Sequence, residues 1–169
     1  SVGYRAMYMN DATSADATDS VAIGHEAMLA DASTTASLLS NVAVGKDALR
    51  IAANTTGAVN YNAAVGTQAM RLGDNTTGSV QYNAAVGYEA LEVDANTTGS
   101  VQYNAAVGYR ALKTASNTTG NVQYNVAVGS NALIVNVANN NTAVGYNSLT
   151  LNTTGTQNVA VGSVSLDAN

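Results

Sequence analysis

Hydrophobic and polar positions recur along this chain with a fixed period, centred on alanine, valine and glycine. One copy of the motif is Asn-Ala-Ala-Val-Gly at residues 104–108. The position numbers of successive motif glycines differ by the same amount six times, and the last two spacings are shorter. These glycines are Gly3, Gly24, Gly45, Gly66, Gly87, Gly108, Gly129, Gly145 and Gly162. A fixed period in this range is typical of a solenoid, in which each repeat buries its apolar side against its neighbours.

The residues before each glycine alternate with period two, which predicts a short β-strand. Val126 and Val128 then share one face of a strand, whereas Asn125, Ala127 and Gly129 share the other. We expect the valine face to point into the coil, together with the Leu or Met that follows each glycine by four positions. The glycine itself permits a turn or a close backbone approach that a Cβ atom would block.

Stacking of successive coils turns each column of the repeat into a ladder. A ladder of Asn side chains satisfies its amide groups mutually. The predicted ladder residues are Gly24, Gly45, Gly66, Gly87, Gly108, Gly129, Gly145 and Gly162, with Asn62, Asn83, Asn104 and Asn125. The predicted fold class is all-β: a parallel β-roll or β-solenoid of about nine coils, in a single domain over residues 1–169.

A second motif, Asn-Thr-Thr-Gly, lies between the strands and predicts a turn, because Asn, Thr and Gly favour side-chain-to-backbone bonds and positive φ. It occurs at residues 54–57, 75–78, 96–99, 117–120 and 152–155. The central coils also carry a column of tyrosines, Tyr61, Tyr82, Tyr103 and Tyr124. This column is interpreted as stiffening cross-strand packing. The alternative interpretation is a set of aromatics that face a glycan.

The face formed by Asn, Ala and Gly is small and almost free of charge. If the valines fill the interior, this face suits close approach between identical subunits, and a cyclic homo-oligomer follows. In the alternative, alanine lines a narrow interior and the chain is a monomer.

Composition narrows the possible partners. Apolar residues make up 46% of the chain and are mostly Ala and Val, which indicates a narrow interior. The net charge of −5, with six Lys and Arg residues, argues against nucleic acid or anionic lipid. No apolar run approaches the ~20 residues of a membrane span. Asp11, Asp16, Asp19 and Asp31 are interpreted as solubilising surface groups.

Catalytic and metal chemistry is not expected. His25 is the single histidine and stands in a column of varied residues, so it is interpreted as a solvated side chain. The alternative is a metal ion held by three symmetry copies of His25 on a trimer axis. The sequence lacks a nucleophile beside a base and a phosphate-binding loop, so we predict a protein that is not an enzyme and needs no cofactor.

The motifs at residues 20–24, 41–45 and 158–162 resemble the head repeats of trimeric autotransporter adhesins. The variant at residues 141–149 and 152–155 is similar to repeats in bacteriophage tail fibres. This resemblance implies a left-handed parallel β-roll and a homotrimer.

The expected function is a structural or adhesive segment of a trimeric surface fibre. The first hypothesis is a bacteriophage tail fibre shaft or head at the virion surface, which takes part in host attachment through a cell-surface glycan or protein receptor. The alternative is the head of a bacterial adhesin on the outer cell surface. A minor alternative is an ice-binding solenoid, suggested by the repeated Thr pairs. Because the chain begins inside a repeat, we expect a piece of a longer fibre protein.

Overall fold

The computed structural model describes residues 1–9 and 17–166, and these residues form an all-β structure without a helix. Fourteen short strands are present in the described part, and every strand pair is parallel. Each strand pairs with the equivalent strand of the next repeat, so that Ala106 lies opposite Ala127. The chain is therefore a parallel β-solenoid, as the sequence predicts. Asp11 and Asp16 lie outside the described residues.

The strands form three sheets. The long sheet has eight strands joined by seven successive turns of the solenoid. Its strands are β2 (Val21–Ile23), β4 (Val42–Val44), β6 (Ala63–Val65), β8 (Ala84–Val86), β10 (Ala105–Val107), β12 (Val126–Val128), β13 (Thr142–Val144) and β14 (Val159–Val161). A four-stranded sheet contains β5 (Val59–Asn60), β7 (Val80–Gln81), β9 (Val101–Gln102) and β11 (Val122–Gln123), and a pair contains β1 (Ala17–Thr18) and β3 (Leu38–Leu39).

The long sheet faces the opposite way to the prediction. The central Ala of each strand points inward, and Ala127 is fully buried. Val126 and Val128 on either side of it are 37% and 38% exposed. The prediction that the valine face fills the coil is therefore wrong. The part of the alternative that places alanine in the interior is confirmed, and its monomer stays a prediction. Asn125 lies on the inner face with Ala127 and is also buried.

The reason is the width of the coil. One turn encloses Ala85, Ala90, Leu91, Val93 and Val101, all fully buried. Leucine and valine from the other sides of the turn already fill the interior, so only a methyl group fits beneath the long sheet. The prediction that Leu or Met returns to the core is confirmed for the central turns.

Close backbone approach explains the motif glycine. Gly108 has a φ of 134°, and a Cβ atom on it would lie 2.6 Å from the carbonyl oxygen of Gly129. That separation is far below van der Waals contact, so only glycine fits this position.

Four of the five Asn-Thr-Thr-Gly motifs form the predicted turn with the Asn at positive φ, whereas in the fifth Asn152 is buried and is not at positive φ. Asn75 has a φ of 59°, and the Thr76 hydroxyl donates to the carbonyl oxygen of Gly73 at 2.9 Å. The Asn75 amide donates to Asn96 at 3.0 Å, so these exposed amides form a ladder of their own.

Candidate functional site

The main candidate is the outer face of the long sheet, defined as the outward-pointing first and third residues of its eight strands. Val86 and Val107 are 44% and 43% exposed. The outer face carries no charged residue, and Thr142 is its one polar member in the described strands. Eight strands of three residues cover roughly 34 Å by 10 Å, or about 340 Å² in projection. Apolar patches of this size on isolated chains often have a function.

The tyrosine column borders the outer face. Tyr82 and Tyr103 stack with a centroid distance of 5.0 Å and an angle of 2° between their planes. Tyr61 and Tyr124 extend the stack at 5.0 Å and 5.1 Å. Between this column and the outer face runs an open groove of about 840 Å³. The groove is lined by the four tyrosines, by the buried Asn ladder and by outer-face residues such as Ala84.

The stacking limits what the tyrosine column can bind. A sugar ring binds an aromatic side chain through the face of the aromatic ring, but the neighbouring tyrosines already cover the faces inside the column. Only the outward faces of Tyr61 and Tyr124 remain uncovered by the stack. The edges and hydroxyl groups of all four rings border the groove. A glycan-facing role for these tyrosines stays a prediction.

The Asn ladder is continuous and buried. The Asn83 amide donates to the side-chain oxygen of Asn62 at 3.0 Å and to the carbonyl oxygen of Val101 at 2.8 Å. Its own oxygen accepts from the backbone and side-chain nitrogens of Asn104, both at 3.0 Å. Because each amide of the central turns bonds both to an Asn of a neighbouring turn and to a backbone carbonyl oxygen of the four-stranded sheet, the ladder holds the two sheets together.

A charged edge lies where the chain leaves the long sheet. We use this name for Arg71, Glu89, Glu92, Arg110 and Lys113. Glu92 is buried and accepts from the Arg71 Nε at 3.0 Å and from the Lys113 Nζ at 2.6 Å. Glu89 accepts from the Arg110 Nε at 2.8 Å and from Lys113 at 3.3 Å. These contacts join three successive turns.

Electrostatics on the charged edge favour the ionised form of Glu89. Burial alone would raise the pKa of Glu89, but Tyr88, Arg110 and Lys113 outweigh it and lower this pKa to about 2. Burial raises the pKa of the nearby Asp94 carboxyl, although Lys113 opposes this effect. The sequence analysis missed the charged edge. The signal was present as opposite charges at equivalent positions of successive repeats, as in Arg71, Glu92 and Lys113.

Comparison of the chain with protein-family models, with curated proteins and with solved structures finds no match. Among the described residues, no helix has the length and hydropathy needed to cross a membrane. The exposed position predicted for His25 is confirmed.

Proposed function

We propose that this chain is a structural and adhesive segment of a homotrimeric surface fibre, as in the shaft or head of a bacteriophage tail fibre that takes part in host attachment. The observation that carries the proposal is the uncharged outer face of the long sheet. A monomer in water gains nothing from a continuous column of Val and Ala side chains along its whole length. A subunit that packs this face against identical chains removes it from water.

Three chains around a common axis would bury three outer faces at once. The column of flat, short side chains lets parallel solenoids approach closely over their full length. The subunit contact is thus formed by the valines, not by the Asn, Ala and Gly set that the sequence analysis expected. Left-handed winding and a location on a virion or cell exterior belong to the same proposal and rest on the resemblance to adhesin heads and tail fibres. About nine coils also belong to it and rest on the nine motif glycines.

The mechanism of such a segment is mechanical. Continuous sheets, the buried Asn ladder and the stacked tyrosines connect every turn to the next, so the segment resists bending. A stiff rod holds a receptor-binding region away from the particle or cell that carries it. The tyrosine column borders the outer face without belonging to it, so its exposed edges and hydroxyl groups are the part of this segment best suited to contact a receptor.

The test is the molar mass of the protein in solution by light scattering. We expect three times the 17.1 kDa of the chain. Val86→Asp places a charge in the middle of the outer face and should yield single chains. Val164→Asp is the matched control, because Val164 is 51% exposed but lies outside the strands of the long sheet. A wild-type protein with the mass of one chain would refute the trimer.

The alternative, the head of a bacterial adhesin, uses the same fold and the same subunit contact. Binding of the labelled trimer to intact bacterial cells supports the tail-fibre proposal, whereas binding to animal cells or extracellular matrix supports the adhesin head. The ice-binding alternative has one structural observation in its favour. The second Thr of each pair, such as Thr77, is exposed beside the Asn75 ladder, and the first, Thr76, is buried. Thermal hysteresis of the purified protein would favour that alternative.

A further inference from the structure

A cluster of three potential metal ligands joins two successive turns near the start of the long sheet. His25, Glu26 and Asp47 each offer one ligand atom, and these three atoms lie within 4.8 Å of one another. His25 and Glu26 directly follow the motif glycine Gly24, and Asp47 occupies the position of Glu26 one turn later. The Asp47 backbone nitrogen donates to the His25 carbonyl oxygen at 2.9 Å, which holds the two turns in register.

This cluster places two carboxylates in the same column on adjacent turns. In the described residues, the second position after the motif glycine reads Arg, Glu, Asp, Gln, Glu, Arg, Asn, Asn and Val from one turn to the next. Only the step from Glu26 to Asp47 brings two acidic side chains together. Like charges at the spacing of adjacent strands repel each other. Arg5 and Arg50 each lie 3.9 Å from Glu26 and offset part of this repulsion, and a cation between the two carboxylates would relieve the rest.

Asp47 is the potential ligand whose negative charge is least compensated by its surroundings. Its side chain is buried, with 6% of the residue exposed, and its Oδ1 has no hydrogen-bond partner. None of the ion pairs among the described residues includes Asp47. Glu89 occupies the same column and is compensated by Arg110 and Lys113. A buried carboxylate without a partner is costly, so Asp47 is poised to accept a ligand.

Arg50 is the competing cation. Its guanidinium group contacts Asp31 at 3.0 Å and lies 3.9 Å from Glu26, while its Nε has no partner. A rotation of Arg50 towards Asp47 would neutralise the carboxylate without a metal. The His25 imidazole distinguishes a metal ion from Arg50 as the partner of Asp47. A metal ion would bind the imidazole, whereas an ion pair between Arg50 and Asp47 does not involve it.

We propose that His25, Glu26 and Asp47 of one chain bind a divalent transition-metal ion such as Zn²⁺. An imidazole nitrogen with two carboxylate oxygens suits such ions better than Mg²⁺ or Ca²⁺. Ligands at about 2.1 Å from a tetrahedral ion lie about 3.4 Å apart, so atoms that are up to 4.8 Å apart must close by up to about 1.4 Å. The exposed His25 side chain supplies part of this movement, and its stacking on Tyr4 at 5.2 Å restricts its orientation. The bound ion would fasten the two turns together.

The experiment is a calorimetric titration of the purified protein with Zn²⁺, with the His25 imidazole resonances recorded in parallel. Because the chain has one histidine, these resonances report on this site alone. We expect one ion per chain in the wild type. His25→Gln and Asp47→Asn should each weaken binding by at least about tenfold, since loss of even an outer-shell partner costs roughly 10- to 100-fold. Asp74→Asn is the control, because Asp74 is exposed and outside the cluster, and it should bind as the wild type does.

The melting temperature of the metal-free protein shows whether Asp47 is a ligand for a metal ion or a partner of Arg50. Without metal, Asp47→Asn should melt at the same temperature as the wild type or higher, because it removes an uncompensated charge. A marked fall in the melting temperature would show that Asp47 forms a stabilising ion pair with Arg50, and this result would overturn the proposal. The proposal also fails if Zn²⁺ at millimolar concentration leaves the His25 resonances unchanged, or if Asp47→Asn binds as tightly as the wild type. Since only one chain supplies the ligands, these outcomes are independent of the trimer.

Discussion

Replacement of Gly108 by alanine tests the packing of successive turns directly. The added Cβ would lie 2.6 Å from the carbonyl oxygen and 2.7 Å from the carbonyl carbon of Gly129. Both atoms are backbone and cannot rotate away. The two turns would therefore have to separate by roughly 1 Å to reach ordinary contact.

Two effects add in this variant. An alanine at a φ of 134° is in a region that only glycine adopts easily, which costs about 1–3 kcal/mol. Separation of these two turns also lengthens bonds that join them, from the Gly129 nitrogen to the Val107 carbonyl oxygen and from the Asn131 nitrogen to the Tyr109 carbonyl oxygen, both 2.8 Å. Loss of such a bond costs about 1 kcal/mol. We expect Gly108→Ala to lower the free energy of unfolding by about 3–5 kcal/mol per chain, from strain and bond loss together.

Two other glycines separate these effects. Gly162 has a φ of 129°, but its nearest non-neighbouring atom would be the Ser165 Cβ at 4.0 Å, so Gly162→Ala tests backbone strain without a clash. At Gly120, φ is outside the strained range and the nearest atom would be the Val137 carbonyl oxygen at 3.5 Å. Gly120→Ala should therefore change stability by no more than about 0.5 kcal/mol. The expected order of destabilisation is Gly108, then Gly162, then Gly120.

Chemical denaturation followed by far-UV circular dichroism measures these differences. Tyrosine fluorescence supplies a second probe, because the chain has nine Tyr and no Trp. Equal stability of the Gly108 and Gly120 variants would refute the argument from backbone contact. A Gly162 variant as unstable as the Gly108 variant would show that strain alone is responsible.

Two further predictions concern the charged edge and the Asn ladder. The pKa of Glu89 in the folded chain is about 2, below its ordinary value of 4.5. Ionised Glu89 therefore stabilises the fold above pH 4.5, and this contribution is lost as the pH falls towards 2. The melting temperature should fall over that window, and Glu89→Gln should reduce the fall; an identical pH profile in the variant would contradict this. Asn83→Ala leaves the buried Asn104 backbone nitrogen without a partner and removes one further hydrogen bond from each of Asn62 and Asn104, so it should cost about 2–4 kcal/mol in denaturation experiments. Asn75→Gly, which removes an amide from the exposed ladder and tolerates the φ of 59°, should cost only about 0.5 kcal/mol, and equal costs would show that burial is not the reason.

The sequence predicted the solenoid and its ladders because both depend on spacing alone. It did not predict which side of the long sheet faces inward, because period-two alternation separates Val128 from Ala127 without saying which is buried. The recurring Asn column that includes Asn125 indicates the inner face. A ladder of mutually bonded amides stabilises most where water is excluded, so the face that carries Asn125 is expected to point inward.

The second sheet and the charged edge were missed for different reasons. Strands such as Val80–Gln81 have two residues, too few for a periodic signal, and their pairing depends on the neighbouring turn. The charged edge depends on side chains that stand one full turn apart in the chain, as in Glu92 and Lys113. Their approach follows from the length of the turn and not from local sequence. Outward exposure of the valines also depends on how much of the interior the rest of the turn fills.

The charged edge has a consequence for how the chain finds its fold. Residues 75–88 and 96–109 are identical in sequence, so a folding chain could dock the later segment where the earlier one belongs. Such a slip leaves the apolar ladders unchanged, and hydrophobic burial alone would not reject it. The slipped arrangement would, however, omit Glu92 and bring Lys113 beside Arg71. Two positive charges would then stand where Arg71 and Glu92 form an ion pair in the correct arrangement. The few charged residues of this chain therefore specify the order of turns that are otherwise interchangeable.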